Sequence, residues 1–479
     1  MKKQESMPFV EALEEYKRKG YIPFHTPGHK IGTGASPLLK EWMEPALSYD
    51  LGVMYALDDL HEPEGALLEA EQLASELYGA DYTWFSINGT TSLIETMIMA
   101  TVGEGETLLI PRDAHRSVHS GLVLSGAVPA YMETTIDEET GIPLGITKKS
   151  FLQAIEEHPA AKAVLFVYPN YFGVASNLEE LVVLAHEKEL IVLVDEAHGA
   201  HLGFCEGFPK SALSSNADLV AQSTHKLAGS LTQTSMLHGK GNRFSPRKVT
   251  EVFQMLQSTS PNYIFLASLD MARHQLAIEG NKLMSRTLEL AMSLRESLLA
   301  MPGIRVFEAP KPWGMDDTKV WFDARSYGIG GSELELLLRR EKIEVELIHG
   351  NGVLVLITLG DTDESIRKLV GAVRNIISTH DIVKDVEKSE CLLLPQPVVL
   401  LSPREVFHRE REMVSRDEAI GRISAETITY YPPGVPFLAR GEVITEVVIN
   451  YIDKMQRQGF MPNGAYDKEL LSFLVVKEE

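Results

Sequence analysis

Three stretches of the chain, ETLLIP, AKAVLFVYP and LIVLVDEAHG, carry the unbroken apolar runs LLIP, AVLFVYP and LIVLV, with helical patterns between and around them. A strand with one wet face alternates apolar and polar side chains, whereas a strand without alternation must be covered on both sides. The amphipathic stretch LEELVVLAHEKE lies just before the last of the three. The pattern therefore predicts an α/β fold with a mostly parallel sheet and helices on both faces.

Open sheets of this kind bind ligands beyond the carboxyl ends of their strands. Polar residues gather at those positions: Asn88-Gly89-Thr90-Thr91 after TWFSI, His115 after ETLLIP, Asn170-Tyr171 after AVLFVYP, Asp195 at the end of IVLVD, and Lys226 after DLVAQ. Five polar strand ends point to one site more firmly than any single residue does.

Around this core the chain divides into four segments. Residues 1–64 form an N-terminal arm and interface segment, with Phe9, Val10, Leu13 and Tyr16 at helical spacing followed by the irregular FHTPGHKIGTG. Residues 65–300 form the large domain and close with a long helix from about 262. Residues 301–384 form a small domain in which TKVWFDA, GSELELLLRREK, GVLVLITLG and ESIRKLVGAVRNII alternate strand and helix. A polar hinge, KDVEKSE, leads into a C-terminal domain over 385–479.

With 67 acidic against 45 basic residues, the net charge of −22 opposes nucleic acid and anionic membrane surfaces. Two cysteines, Cys205 and Cys391, are too few for a disulfide framework, and no apolar run reaches the about 18 residues needed to cross a bilayer. The N-terminus, MKKQESMPFVEALEEYKRKG, lacks an apolar export segment, so a cytoplasmic protein is expected. No metal-ligand pattern is expected.

Lys226 follows an apolar strand and sits among hydroxyls and glycine, an unusual setting for a solvated surface lysine. A lysine can form a Schiff base with an aldehyde cofactor, and pyridoxal phosphate also needs an acid that keeps its ring nitrogen protonated. Asp195, costly at a buried strand end unless paired, suits that second role, although a helix cap is an equal reading. Gly89-Thr90-Thr91-Ser92, where a strand turns into a helix, offers N–H groups and hydroxyls to a phosphate, or an ordinary N-cap. Ser223 and His225 could complete the cradle, and His115 could lie flat on the ring.

Ser223-Thr224-His225-Lys226, Asp195-Glu196-Ala197-His198-Gly199, Pro169-Asn170-Tyr171-Phe172-Gly173-Val174, Ser258-Thr259-Ser260-Pro261 and Tyr431-Pro432-Pro433-Gly434-Val435-Pro436 together resemble the Orn/Lys/Arg decarboxylase class-I family. Phe24-His25-Thr26-Pro27-Gly28-His29-Lys30 is similar to the N-terminal segment of its compact bacterial members. The resemblance implies a fold-type-I, aspartate-aminotransferase-like large domain with smaller α+β C-terminal domains, and a homodimer or higher homo-oligomer with active sites at the dimer interface. It implies Lys226 as the cofactor lysine, Asp195 on the pyridine nitrogen and His115 stacked on the ring. Gly89, Thr90, Thr91, Ser223 and His225 then serve the phosphate, and Ala197 and His198 also line the cofactor. Where the family often reads Arg-Asn-x-His-Lys-Ser, this chain has Arg112-Asp113-Ala114-His115-Arg116-Ser117.

The implied reaction is decarboxylation of a basic L-amino acid, with arginine to agmatine in polyamine synthesis favoured over lysine or ornithine. Catalysis falls to Lys226, Asp195 and His225. Glu346, with Ser258, is expected to bind the distal charge of the substrate, and Asp58 and Asp59 are further carboxylates for that task. Transamination or elimination on the same cofactor is the first rival, and a non-catalytic relative of the same fold is the second.

Overall fold

The computed structural model describes residues 2–54, 56–383, 394–430, 434–457 and 460–478. The hinge expected at 384–390, together with Tyr431, Pro432 and Pro433 of the late motif, lies outside the described residues. The chain forms two compact units. The first comprises Met1–Ala100, Val194–Glu206 and Lys210–Ser285, and the second Thr101–Leu193, Gly207–Pro209 and Arg286–Glu479.

In the first unit the N-terminal arm is a helix, Pro8–Lys19, started by proline and stopped by Gly20 in the left-handed region. Its buried side chains Phe9, Leu13 and Tyr16 share one face. The arm is tied to the long helix Tyr263–Leu299. Phe9 meets the Tyr263 ring edge-on at 5.3 Å, and the Phe9 N–H donates to Asp270 Oδ2 at 3.0 Å. Arg273, fully buried and paired with Asp270, donates to the Gln4 and Ser6 carbonyls.

Helix Ala66–Tyr78 follows Asp58, whose carboxylate accepts the N–H groups of Gly65 at 2.8 Å and Leu67 at 3.0 Å. That carboxylate satisfies the open donors of a helix start. Strand Tyr82–Ser86 pairs antiparallel with Ser235–Gly239, which pairs antiparallel with Leu219–Gln222. Beyond Leu219–Gln222 comes strand Ile191–Asp195, whose last two residues belong to this unit. This edge of the sheet is thus antiparallel, and Ser235–Gly239 is a strand that the apolar-run pattern does not announce.

In the second unit the order is Ile191–Asp195, Ala163–Val167, Thr107–Pro111, Val128–Met132. Thr107–Pro111 is parallel to both of its neighbours, as the apolar runs predict. Further along, Arg305–Val306, Lys319–Asp323, Gly352–Leu356 and Leu347–His349 form an antiparallel sheet in that order. It shares a core with helices Gly331–Arg340 and Asp363–Ser378, built on Phe322, Leu334, Leu338, Val353, Leu369 and Val373. Gly173 can only be glycine here: its φ is +84°, and a Cβ would lie 2.6 Å from the Asp316 carbonyl oxygen. The last segment pairs Arg411–Ser415 with Ser472–Val476 and sets Ile428–Tyr430 between Val435–Leu438 and Pro462–Asn463. Phe437, Ile452 and Phe473 fill its core.

Among the described residues, no helix is long and apolar enough to cross a membrane.

Candidate active site

Strand Leu219–Gln222 ends at Ser223, which precedes the one-turn helix Thr224–Leu227. The turn raises Lys226 over the strand end, half-buried, with Nζ 2.9 Å from Nε2 of His198. His198 comes from the loop after strand Ile191–Asp195, so two neighbouring strand ends meet in this contact.

Asp195, at the end of its strand, is 5% exposed. Burial pushes its carboxyl above the ordinary range, while the Ala197 N–H and the charge of Lys226 pull it back. Its Oδ1 accepts the Ala197 N–H at 3.1 Å. The helix-cap alternative is not realised: the loop after Asp195 turns without forming a helix. A buried carboxylate with one hydrogen bond of about four it could accept suits a cationic partner.

Gly89, at φ +72°, opens helix Gly89–Thr101. Thr90 Oγ1 lies 2.5 Å from Ser223 Oγ and 2.8 Å from Ser235 Oγ, and all three hydroxyls are buried. Thr91, next in the helix, is exposed. His225 donates from Nδ1 to the Thr234 carbonyl at 2.7 Å, which leaves Nε2 as the acceptor of the neutral ring. Burial lowers its pKa, the Thr234 carbonyl opposes this, and Lys226 lowers it further.

The first unit thus brings together Lys226, His198, Asp195, Ala197, Ser223, His225, Gly89 and Thr90. Ser258 is exposed in the same unit, its carbonyl accepting from His61 Nε2 at 3.0 Å. Asp58 is committed to the helix start described above, and Asp59 Oδ1 accepts the His61 N–H. His115 and Glu346 belong to the second unit. His115 caps helix Arg116–Ser125, its Nδ1 accepting the Ser117 N–H at 3.2 Å. Glu346 is exposed and accepts from the Tyr171 hydroxyl.

Several residues of this region are invisible to motif reasoning. Ser235 and Thr234 flank an unrecognised strand start, and Gln257 holds the Ser86–Ser92 turn through Ile87 N–H at 3.3 Å and Ser92 Oγ at 3.0 Å. Glu196 is fully buried, accepting from Ala212 N–H and Gln222 Nε2 at 2.7 Å each. Gln222 Oε1 in turn meets His238 Nε2 at 3.2 Å, and His238 Nδ1 meets Thr83 Oγ1 at 2.8 Å. This chain of side chains crosses three strands beneath the site. Among the described residues, no three His, Cys, Asp or Glu side chains cluster as metal ligands would.

The fold is that of the fold-type-I class. The structure matches a lysine decarboxylase of Francisella novicida with a TM-score of 0.86, over 98% of this chain and 81% of that one, at 22% identity. Lysine decarboxylase A of Pseudomonas aeruginosa gives a TM-score of 0.85 over 98% and 80%, also at 22% identity. The chain belongs to the Orn/Lys/Arg decarboxylase family: residues 7–325 match its major domain and residues 387–462 its C-terminal domain. An arginine decarboxylase of Bacillus anthracis is 40% identical over 483 residues, 99% of this chain and 98% of its own. An arginine decarboxylase of Bacillus subtilis (strain 168) is 40% identical over 486 residues, 99% of each.

Proposed function

We propose that this chain is a pyridoxal-phosphate-dependent decarboxylase of basic amino acids that converts arginine to agmatine and CO2 and so supplies polyamine synthesis in the cytoplasm. Lys226 beside His198, with Asp195 buried at the next strand end, is the observation that carries the reading. Likeness to arginine decarboxylases over the full chain favours arginine over lysine and ornithine.

The residues fit the cofactor. Lys226 would tether its aldehyde carbon, Asp195 would pair with the ring nitrogen, and the Gly89 helix start with Thr90, Thr91 and Ser223 would hold its phosphate. His115 would lie against the ring. Once bound, the group supplies an electron sink for the bond to the substrate carboxylate. The residues supply the rest. His198 Nε2 can take the proton that the Lys226 ammonium must lose before its nitrogen is nucleophilic, and His225 Nε2 is a second neutral acceptor. The Glu346 carboxylate, steadied by the Tyr171 hydroxyl, would pair with the guanidinium of the substrate. One proton enters for each CO2 released.

We further propose a homodimer with its active sites at the interface. Ile22, Phe24, Leu38 and Trp42 leave the N-terminal segment strongly apolar and exposed, with Phe24 at 91% and Ile22 at 78%. Sedimentation of the holoenzyme tests this, and a monomer at micromolar concentration counts against it.

The deciding experiment is incubation with arginine, lysine and ornithine, with CO2 and the matching amine measured. Agmatine as the main product is expected. A keto acid in place of CO2 would overturn the decarboxylase reading in favour of transamination, and a protein that stays colourless with added cofactor would favour a non-catalytic role.

A further inference from the structure

Helix Arg116–Ser125, whose N-cap is His115, is gripped at both ends by the C-terminal part of the chain. Just before it, Arg112 is 4% exposed and uses all three of its nitrogens. Nη1 donates to Glu442 Oε1 at 3.0 Å, Nη2 to Glu442 Oε2 at 3.2 Å and to the Phe437 carbonyl at 2.9 Å, and Nε to the Pro395 carbonyl at 3.1 Å. Glu442 is buried too, and accepts from the Tyr131 hydroxyl at 2.8 Å and the Ala439 N–H at 3.0 Å. The Arg116 N–H, in the first turn, donates to the Gly434 carbonyl at 3.3 Å. At the far end Arg404 donates to the Val123 carbonyl at 2.9 Å and to the Leu124 carbonyl. These are open acceptors of a helix C-terminus, where a cation also meets the favourable end of the helix dipole.

A planar guanidinium held by a two-toothed carboxylate and two carbonyls has no rotational freedom left. The main chain that carries it into His115 is therefore fixed from the C-terminal side. We infer that Glu442 is a positioning residue for His115, acting through Arg112, so that the C-terminal segment sets where the imidazole stands. The inference rests on the reading that His115 lies against the cofactor ring. Removing Glu442 would strand a buried charge on Arg112, and the turn that bears His115 would shift to find it water. A displacement of about 1 Å at such a group is enough to cost about a hundredfold in rate.

The test compares Glu442→Gln, Glu442→Ala and the milder Tyr131→Phe with His115→Ala. Asp453→Ala is the control, because it breaks the Arg416–Asp453 pair in the same C-terminal segment without touching Arg112. Four quantities are read: kcat, KM, the visible circular dichroism of the bound cofactor, and amide hydrogen exchange over residues 116–125 in the apoprotein. Expected for Glu442→Gln is a loss of about ten- to a hundredfold in kcat with KM changed little, an altered cofactor band and faster exchange. Tyr131→Phe should move the same readouts less, and Asp453→Ala should move none of them even where it lowers the melting temperature. If Glu442→Gln and Tyr131→Phe keep the wild-type band, exchange and kcat while His115→Ala loses band and kcat, the positioning role of Glu442 is overturned and the role of His115 stands. If His115→Ala itself changes neither band nor kcat, the reading of His115 fails and the inference fails with it.

Discussion

Nζ of Lys226 stands 2.9 Å from Nε2 of His198, a contact between residues carried on two adjacent strand ends. An ammonium can only donate, so the imidazole accepts at Nε2 and carries its own proton at Nδ1. Lys226→Ala should abolish the adduct that borohydride traps and lower kcat by at least about a thousandfold. His198→Asn should leave the adduct in place while lowering kcat by about a hundredfold. Mass spectrometry after reduction checks the first, and steady-state kinetics the second.

Asp195→Asn keeps the size and the Ala197 contact of the side chain but removes its charge. A drop in kcat of at least about a hundredfold is expected, with partial recovery in Asp195→Glu. Activity of the asparagine variant within tenfold of wild type would remove Asp195 from the electron-sink role.

Loss of one hydroxyl from the Thr90, Ser223 and Ser235 group should weaken cofactor binding by about tenfold, through Ser223→Ala or Thr90→Val. Fluorescence titration of the apoprotein gives the dissociation constants. Neither substitution should change the affinity for arginine once the cofactor is saturating.

Burial pushes Glu196 and Glu71 up to about 8 from the ordinary 4.5. Between those two values the folded chain keeps protons that the unfolded chain has released, so stability from these groups is full at low pH and is lost as pH rises through about 8. In the Glu196→Gln apoprotein position 196 no longer titrates there, while Glu71 does so as in the wild type and cancels from the comparison. From about pH 5 to about pH 8.5, wild type should therefore lose on the order of a few kcal/mol relative to the variant. Urea unfolding at both pH values measures the difference, and a constant difference would show Glu196 ionised throughout.

Glu346→Gln should raise KM for arginine by about ten- to a hundredfold with kcat largely kept, if the proposed charge-assisted contact to the guanidinium is made there. Tyr171→Phe should do the same more weakly. Initial rates over a range of arginine concentrations distinguish the two parameters.

The apolar runs made the parallel half of the sheet legible, because a strand buried on both faces has no alternation to conceal it. They also put Lys226 and Asp195 at strand ends, where the structure has them. Strand Ser235–Gly239 escaped because five residues containing a buried His238 between serine and glycine look like a loop. With it escaped Ser235, a member of the hydroxyl group. Glu196 carried no signal of its own, since nothing local says that Gln222 and Ala212 will enclose it. Arg112 and Glu442 are separated by 330 residues, and a pair so distant leaves no periodic or spacing signal in one sequence.

The three hydroxyls of Thr90, Ser223 and Ser235 partner one another. Hydroxyls matched in this way incur little penalty on burial. In the proposed holoenzyme these hydroxyls would only exchange partners, so this corner of the fold can form before the cofactor binds.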